Sequence, residues 1–184
     1  MKYALPCVSV LVKRGTVTQE HLESLIETVK DGGEAPTGAE KIPAVAFAVC
    51  SLIALENGKA AIDDDIIREY FLFRHDDMID KRYEEMGDFD TDACRTRIGR
   101  IVSIDSGRAL VEMPGRTKTY RTDFVPDVKV NDRVVTHWDF IVETVDGAIA
   151  KQLETRKKQS VDQFTTGLRN RGILIGKRTV HHHE

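Results

Sequence analysis

The sequence predicts an α+β protein: an N-terminal small helical domain, then an OB-like small antiparallel β-barrel with a C-terminal helix. Three observations carry this. Apolar residues recur at helical spacing through the first half, and between Gly87 and Asp92 they give way to short β-branched runs separated by turn residues. Beyond Asp146-Gly147 the spacing again fits a helix. The 184 residues suffice for one ordinary domain or two small ones, and 41% apolar side chains is a normal globular content. The expected division is 1–90 as a helical domain of unassigned role, 92–146 as the barrel, and 147–184 as a helix and basic tail.

The N-terminal stretch 1–12 is short and interrupted by Pro6, with Lys13-Arg14 where a cleavage site would stand, so it reads as a strand or extended segment rather than a signal peptide. Thr18 is placed to cap a first helix with Leu22, Leu25, Ile26 and Val29 on one face, and Gly32-Gly33 ends it. Thr37 and Glu40 have capping-box spacing, and Pro43 suits the first turn of a second helix. Its run 44–55 is apolar nearly all round, which predicts a central position in the domain. At 12 residues it is too short to cross a bilayer, so no membrane partner is expected. Asp63, Asp64 and Asp65 favour the start of a third helix, where the dipole welcomes negative charge. Its apolar side is Ile66, Ile67, Tyr70, Phe71 and Phe73; the rest, to about Glu85, reads as solvated.

The barrel strands are expected at 97–104, 108–113 and 118–124, with one or two more within 133–145. The turns are Asp105-Ser106-Gly107, Pro114-Gly115 and Asn131-Asp132. Five short strands in about 50 residues point to a closed barrel of the OB or SH3 kind, because closure leaves few exposed edges. Ile149, Leu153, Val161, Phe164 and Leu168 fit a following helix, and the last 16 residues are basic and punctuated by glycine.

The net charge of −3 is unevenly spread: −8 over 1–91, 0 over 92–155 and +5 over 156–184. This excludes a polyanion-coating protein and suggests segments with different neighbours. The acidic first half suits a basic partner surface or the chain's own tail; the alternative is that it packs on the barrel. Cys7, Cys50 and Cys94 form no CxxC pair, so neither a disulfide framework nor a zinc knuckle is indicated, and a cytoplasmic location is expected.

Cys94 stands just before the first barrel strand and His137 at the end of a later one, positions that can meet at one mouth of a small barrel. A thiolate with an imidazole suits iron, copper or zinc better than a hard cation. Two donors are too few for a structural zinc site, so water, an exogenous ligand or a partner would have to complete it. The other reading of the same pair is a packed cysteine and a hydrogen-bonded strand histidine.

The stretch Cys94-Arg95-Thr96-Arg97-Ile98-Gly99-Arg100-Ile101-Val102-Ser103-Ile104 resembles the opening of the HypC/HupF-type hydrogenase-maturation chaperones, with the same Cys-to-Gly spacing. Arg108-Ala109-Leu110-Val111-Glu112-Met113 is similar to that family's next strand. The run from Val125 to His137 is similar to its V-x-x-V-K-V-G-D-Y-V-L-V-H segment, and His137-Trp138-Asp139-Phe140-Ile141-Val142 stands where the family has His-Ala-Gly-Phe-Ala-Ile. The resemblance covers about 93–155. It implies an OB-like barrel that works with a HypD-like scaffold protein and delivers iron bearing cyanide and carbon monoxide to the large-subunit precursor of a nickel-iron hydrogenase. It further implies iron binding by Cys94 and His137, partner binding by Cys94, Arg95, Arg97, Gly99, Trp138 and Asp139, and no catalysis by the chaperone itself. The chain departs from the pattern where 93 residues precede Cys94, where Thr96 and Ile98 replace Ala and Pro, and where Trp138-Asp139 replace Ala-Gly.

Arg74-His75-Asp76-Asp77 resembles a His-Asp metal pair, but neighbours on a helix point in different directions. Cys50 and Cys7 read as packed residues, and no function is assigned to His181, His182 and His183. The alternative function is an OB-like nucleic-acid-binding module. Arg95, Arg97, Arg100, Arg116, Lys118 and Arg121 with Tyr120 and Trp138 supply the residue types, and the barrel's neutral charge argues against it. Asp139 near the Cys94/His137 pair does not make a recognisable catalytic constellation, so an enzyme is not expected.

Overall fold

The computed structural model describes residues 2–30, 44–81 and 90–156. The first segment is helical, not extended: a 3-10 turn at Leu5–Cys7 leads into α1, Val8–Lys13. Val8, Val10 and Val12 alternate as in a strand, but Pro6 sits in the first turn of the helical stretch, where its missing N–H is not needed and its fixed φ helps. Gly15, at φ 68°, turns the chain toward the next helix. Helix α2, Gln19–Lys30, starts as expected, with the His21 N–H donating to Thr18 Oγ1 at 3.1 Å, and it buries Leu22, Leu25 and Ile26. The Gly32-Gly33 stop and the Thr37/Glu40 capping box lie outside the described residues.

Helix α3, Ala44–Glu56, is not enclosed on every side. Ala46, Cys50, Ile53 and Ala54 are buried, whereas Phe47, Leu52 and Leu55 are exposed. An all-round apolar helix carries no moment to say which face turns inward, and only contacts decide it.

Helix α4, Asp64–Glu69, is capped by Asp63, whose Oδ1 accepts from the Ile66 N–H at 3.0 Å. It runs through a π-helical segment, Tyr70–Arg74, into α5, His75–Lys81. The widened turn advances the chain by less rotation per residue than an α-helix and carries the inward face along it. As a result Tyr70, Phe71, Leu72, His75 and Ile79 are all buried. The expected solvated stretch after Phe73 is therefore corrected for His75 and Ile79.

A short helix α6, Thr91–Cys94, precedes the barrel, capped by Asp90, which accepts from the Ala93 N–H at 2.9 Å. The five strands are β1 Arg97–Asp105, β2 Arg108–Met113, β3 Arg116–Arg121, β4 Arg133–His137 and β5 Phe140–Thr144. They close in the order β1-β2-β3-β5-β4, with β3 and β5 parallel and the other pairs antiparallel. Ser106 and Gly107 both have positive φ in the β1–β2 hairpin, the twist that two-residue loops prefer. Strand β3 starts and stops earlier than its sequence pattern, because the chain turns at Thr122, which bonds back to Gly107. Inside, Ile101, Ala109, Val111, Met113, Tyr120, Val134 and Ile141 fill the barrel.

A helix at 147–156, here α7, follows Asp146, which caps it by accepting from the Ile149 N–H at 2.8 Å. Its Ala150 and Leu153 join the outer barrel residues Ile98, Val135, Phe140 and Val142 in one core with Leu5, Leu25, Ile26, Ile53, Ile66 and Phe71 of the helical half. Paired charges line the same junction. Arg121 makes a bidentate contact to Glu23, Arg68 does the same to Glu143, and Arg95 pairs with Asp80. Glu23 and Asp80 of the acidic first half thus face the chain's own arginines. Among the described residues no helix is long and apolar enough to cross a membrane.

Candidate metal centre

The β1–β4 ladder explains why Cys94 and His137 meet. Arg97 pairs with Thr136, so the residue three positions before Arg97 and the one just after Thr136 share one barrel mouth. The Trp138 N–H donates to the Ala93 carbonyl at 3.0 Å, tying the two chain segments together. Cys94 Sγ lies 3.9 Å from His137 Nε2.

The helical half brings two more donors to the same point. His75, at the exit of the π segment, places Nε2 3.6 Å from Cys94 Sγ, and Cys7, at the end of the 3-10 turn, places Sγ 3.6 Å from His137 Nε2. The donor atoms of Cys7, His75, Cys94 and His137 all lie within 4.8 Å of one another. His75, Cys94 and His137 are buried and Cys7 is half-buried. The chain's own first half thus sets a second thiol and a second imidazole beside the expected Cys94/His137 pair.

Outer contacts orient the set. His137 Nδ1–H donates to the Tyr3 carbonyl at 2.9 Å, which fixes the tautomer and leaves Nε2 facing the cluster. His75 Nδ1 lies 3.5 Å from Asp76 Oδ1, and that carboxylate accepts from the Thr96 N–H at 3.2 Å. Cys94 packs among Ile79, Trp138, Cys7, Val10 and Ala93. Trp138 holds φ 54°, uncommon for a non-glycine residue, and Lys13 Nζ sits 5.0 Å from the centre of its ring.

The electrostatics follow from this packing. The neighbouring Cys7 thiol, with His75, holds the Cys94 thiol well below its ordinary value against the cost of burial. Cys7 is pushed up for the complementary reason, as the donor to a neighbouring thiolate and as a buried group. Burial works against a charged His75, but Asp76 and the Cys94 thiolate prevail and raise it to about 9. Burial lowers His137. Two sulfurs, of which Cys94 has the surroundings that favour a thiolate, and two histidine rings make a soft donor set suited to a first-row transition metal.

The other residues expected at the site fall differently. Gly99 is buried in β1, and Trp138 is buried over the cluster. Arg95 and Arg97 are held by Asp80 and Asp92, and Asp139, whose side chain is 64% exposed, pairs with Lys118 at 2.8 Å. Arg100, Arg116, Lys118 and Arg121 are likewise in ion pairs, and Tyr120 and Trp138 are 1% and 4% exposed, so neither ring is available to stack on a base.

Cys7 and His75 are the two residues that local reading set aside. Beside His75 the sequence shows Asp76 and Asp77, whereas its donor partner is Cys94, 19 positions on. Nothing local to Cys7 marks it, since the ring it meets at 3.6 Å, His137, is 130 positions away.

Fold and cluster together define a small closed barrel with a soft-donor site at one mouth, capped by a helical half. Residues 94–155 match the model of the HupF/HypC family, so this third of the chain is similar to that family. Comparison with curated proteins finds no match. The family region begins at Cys94 and contains His137; Cys7 and His75 lie outside it.

Proposed function

We propose that the protein is a hydrogenase-maturation chaperone that handles an iron centre through Cys94 and His137. In this reading it takes iron bearing cyanide and carbon monoxide from a HypD-like scaffold and passes it to the large-subunit precursor of a nickel-iron hydrogenase. The observation that carries it is the convergence of Cys94 Sγ and His137 Nε2 at 3.9 Å within the family region. A low-valent iron with strong-field ligands bonds well to thiolate, and Cys94 is the group whose surroundings favour that form. Because Cys94 is 5% exposed, exchange with a partner requires Trp138 and the segment carrying Cys7 and α1 to move aside.

The test is an anaerobic pull-down of the full chain with its scaffold partner, followed by iron analysis and infrared spectroscopy, repeated on Cys94→Ala. Cyanide and carbon monoxide bands in the wild type that vanish in the variant support the reading. A wild-type complex that forms without such bands refutes it.

A further inference from the structure

We infer that Cys7 and His75 complete, with Cys94 and His137, a closed four-coordinate S2N2 site that binds one divalent first-row metal ion in the free chain, with no ligand from a partner. The inference rests on the same site as the proposed function but not on delivery of a cyanide- and carbonyl-bearing iron.

The geometry is the first argument. Metal–sulfur bonds of about 2.3 Å and metal–nitrogen bonds of about 2.0–2.1 Å at tetrahedral angles place sulfur about 3.6 Å from nitrogen. Two of the cluster's sulfur–nitrogen separations are 3.6 Å and a third is 3.9 Å, and every remaining donor pair lies within 4.8 Å. Small side-chain movements therefore suffice to close the set around an ion.

Orientation is the second. In His137 the Nδ1–H is committed to the Tyr3 carbonyl, and in His75 the Nδ1 faces the Asp76 carboxylate, so both rings turn Nε2 inward. Ligating histidines are held this way by carbonyl and carboxylate partners. His75 Nδ1 is also a buried nitrogen with no hydrogen bond of good geometry. A metal at Nε2 would settle that ring in the Nδ1–H tautomer facing Asp76.

The third is donor chemistry. Two thiols and two imidazoles at tetrahedral spacing select a zinc-like ion over calcium or magnesium, which take oxygen ligands. Cys50, buried in α3, is not part of the set.

Anaerobic titration of the reduced full chain with Co(II), read by absorbance, tests this. Expected is one equivalent bound with sulfur-to-cobalt charge-transfer bands and the intense visible bands of a tetrahedral ion, displaced by Zn(II). Binding to His181–His183 would lack both signatures. Cys7→Ser and His75→Gln, near-isosteric changes, should each weaken binding by about 10-fold or more, the lower range for disturbing even an outer contact of a metal site. Cys50→Ser should leave it unchanged. Circular dichroism of each variant separates lost binding from lost fold. A wild type that gives no tetrahedral spectrum overturns the inference, as do folded Cys7→Ser and His75→Gln variants with wild-type spectra and affinity. Failure here with cyanide and carbon monoxide bands present in the pull-down leaves the chaperone reading standing; the converse result refutes that reading alone.

Discussion

Replacing Gly99 with alanine separates two roles for a residue of the family region: contact with a partner, or close packing inside the barrel. A Cβ at Gly99 would stand 2.4 Å from Val111 Cγ1, 2.7 Å from Met113 Cγ and 2.7 Å from the Glu112 carbonyl oxygen. The two side-chain atoms can give way. The carbonyl belongs to β2, whose register with β1 is set by Arg100↔Glu112 and Ile101↔Val111, so relief there means prising the strands apart. Overpacking of this kind costs about 1–3 kcal/mol. In a chain of this size each kcal/mol lowers Tm by about 2–4 °C, so Gly99→Ala should melt about 2–12 °C below wild type. Thermal unfolding by far-ultraviolet circular dichroism at a fixed scan rate measures it. Gly147→Ala is the control, since a Cβ there meets nothing within 4 Å. A Gly99→Ala protein melting within about 1 °C of wild type while losing capture by a scaffold partner would refute the packing argument and return Gly99 to a contact surface.

Other substitutions probe the rest of the fold. Ile53→Ala, at a position 2% exposed, should cost about 2–5 kcal/mol by denaturant unfolding, whereas Leu55→Ser, two residues on and 75% exposed, should stay within about 0.5 kcal/mol. The Arg121 ion pairs should make stability acid-sensitive. Arg121 holds Glu23 below the usual carboxylate range, and at Asp123 it outweighs the opposing effect of burial. Folded-state values below the unfolded ones mean that this stabilisation is present above the unfolded pKa of about 4 and is lost as pH falls through the folded values. The difference in Tm between wild type and Arg121→Met should therefore shrink between about pH 6 and about pH 3. Trp138→Ala should speed alkylation of Cys94, mapped by mass spectrometry, because the two residues share one small buried cluster; an unchanged rate would show that α1 and Ile79 shield it without the ring.

The barrel was legible because each strand carries its own signal. Alternation in Ala109, Val111 and Met113, the Ser106-Gly107 hairpin and the Cys94-to-Gly99 spacing are all local, and all correspond to observed elements. The meeting of Cys94 with His137 followed because β1 and β4 pair in a closed five-stranded sheet. The helical half was less legible where local signals compete or fall silent. Val8, Val10 and Val12 alternate like a strand yet form a helix, and α3 gives no sign of which face to bury. The π segment has no sequence mark, but it carries the buried side of the helix on to His75. The neighbours of Cys7 and His75 thus lay beyond local reading, because the contacts that gather them span 130 and 19 positions.

That distribution of donors has a consequence for stability. Cys94 and His137 belong to the barrel, while Cys7 and His75 hang from the turn before α1 and from the head of α5, so an ion held by all four would pin two helical segments across the barrel mouth. An ion that binds only the assembled site stabilises it by mass action, by about 2.7 kcal/mol at a free concentration 100 times its Kd. Zn(II) should therefore raise the Tm of the full chain, and a chelator should reverse the rise. Cys7→Ser leaves the barrel pair intact but removes the link to the N-terminal turn, so the rise should collapse in that variant. If the barrel pair alone carried the ion, Cys7→Ser would melt with the same metal-dependent rise as wild type, and the coupling of the two halves through the site would be refuted.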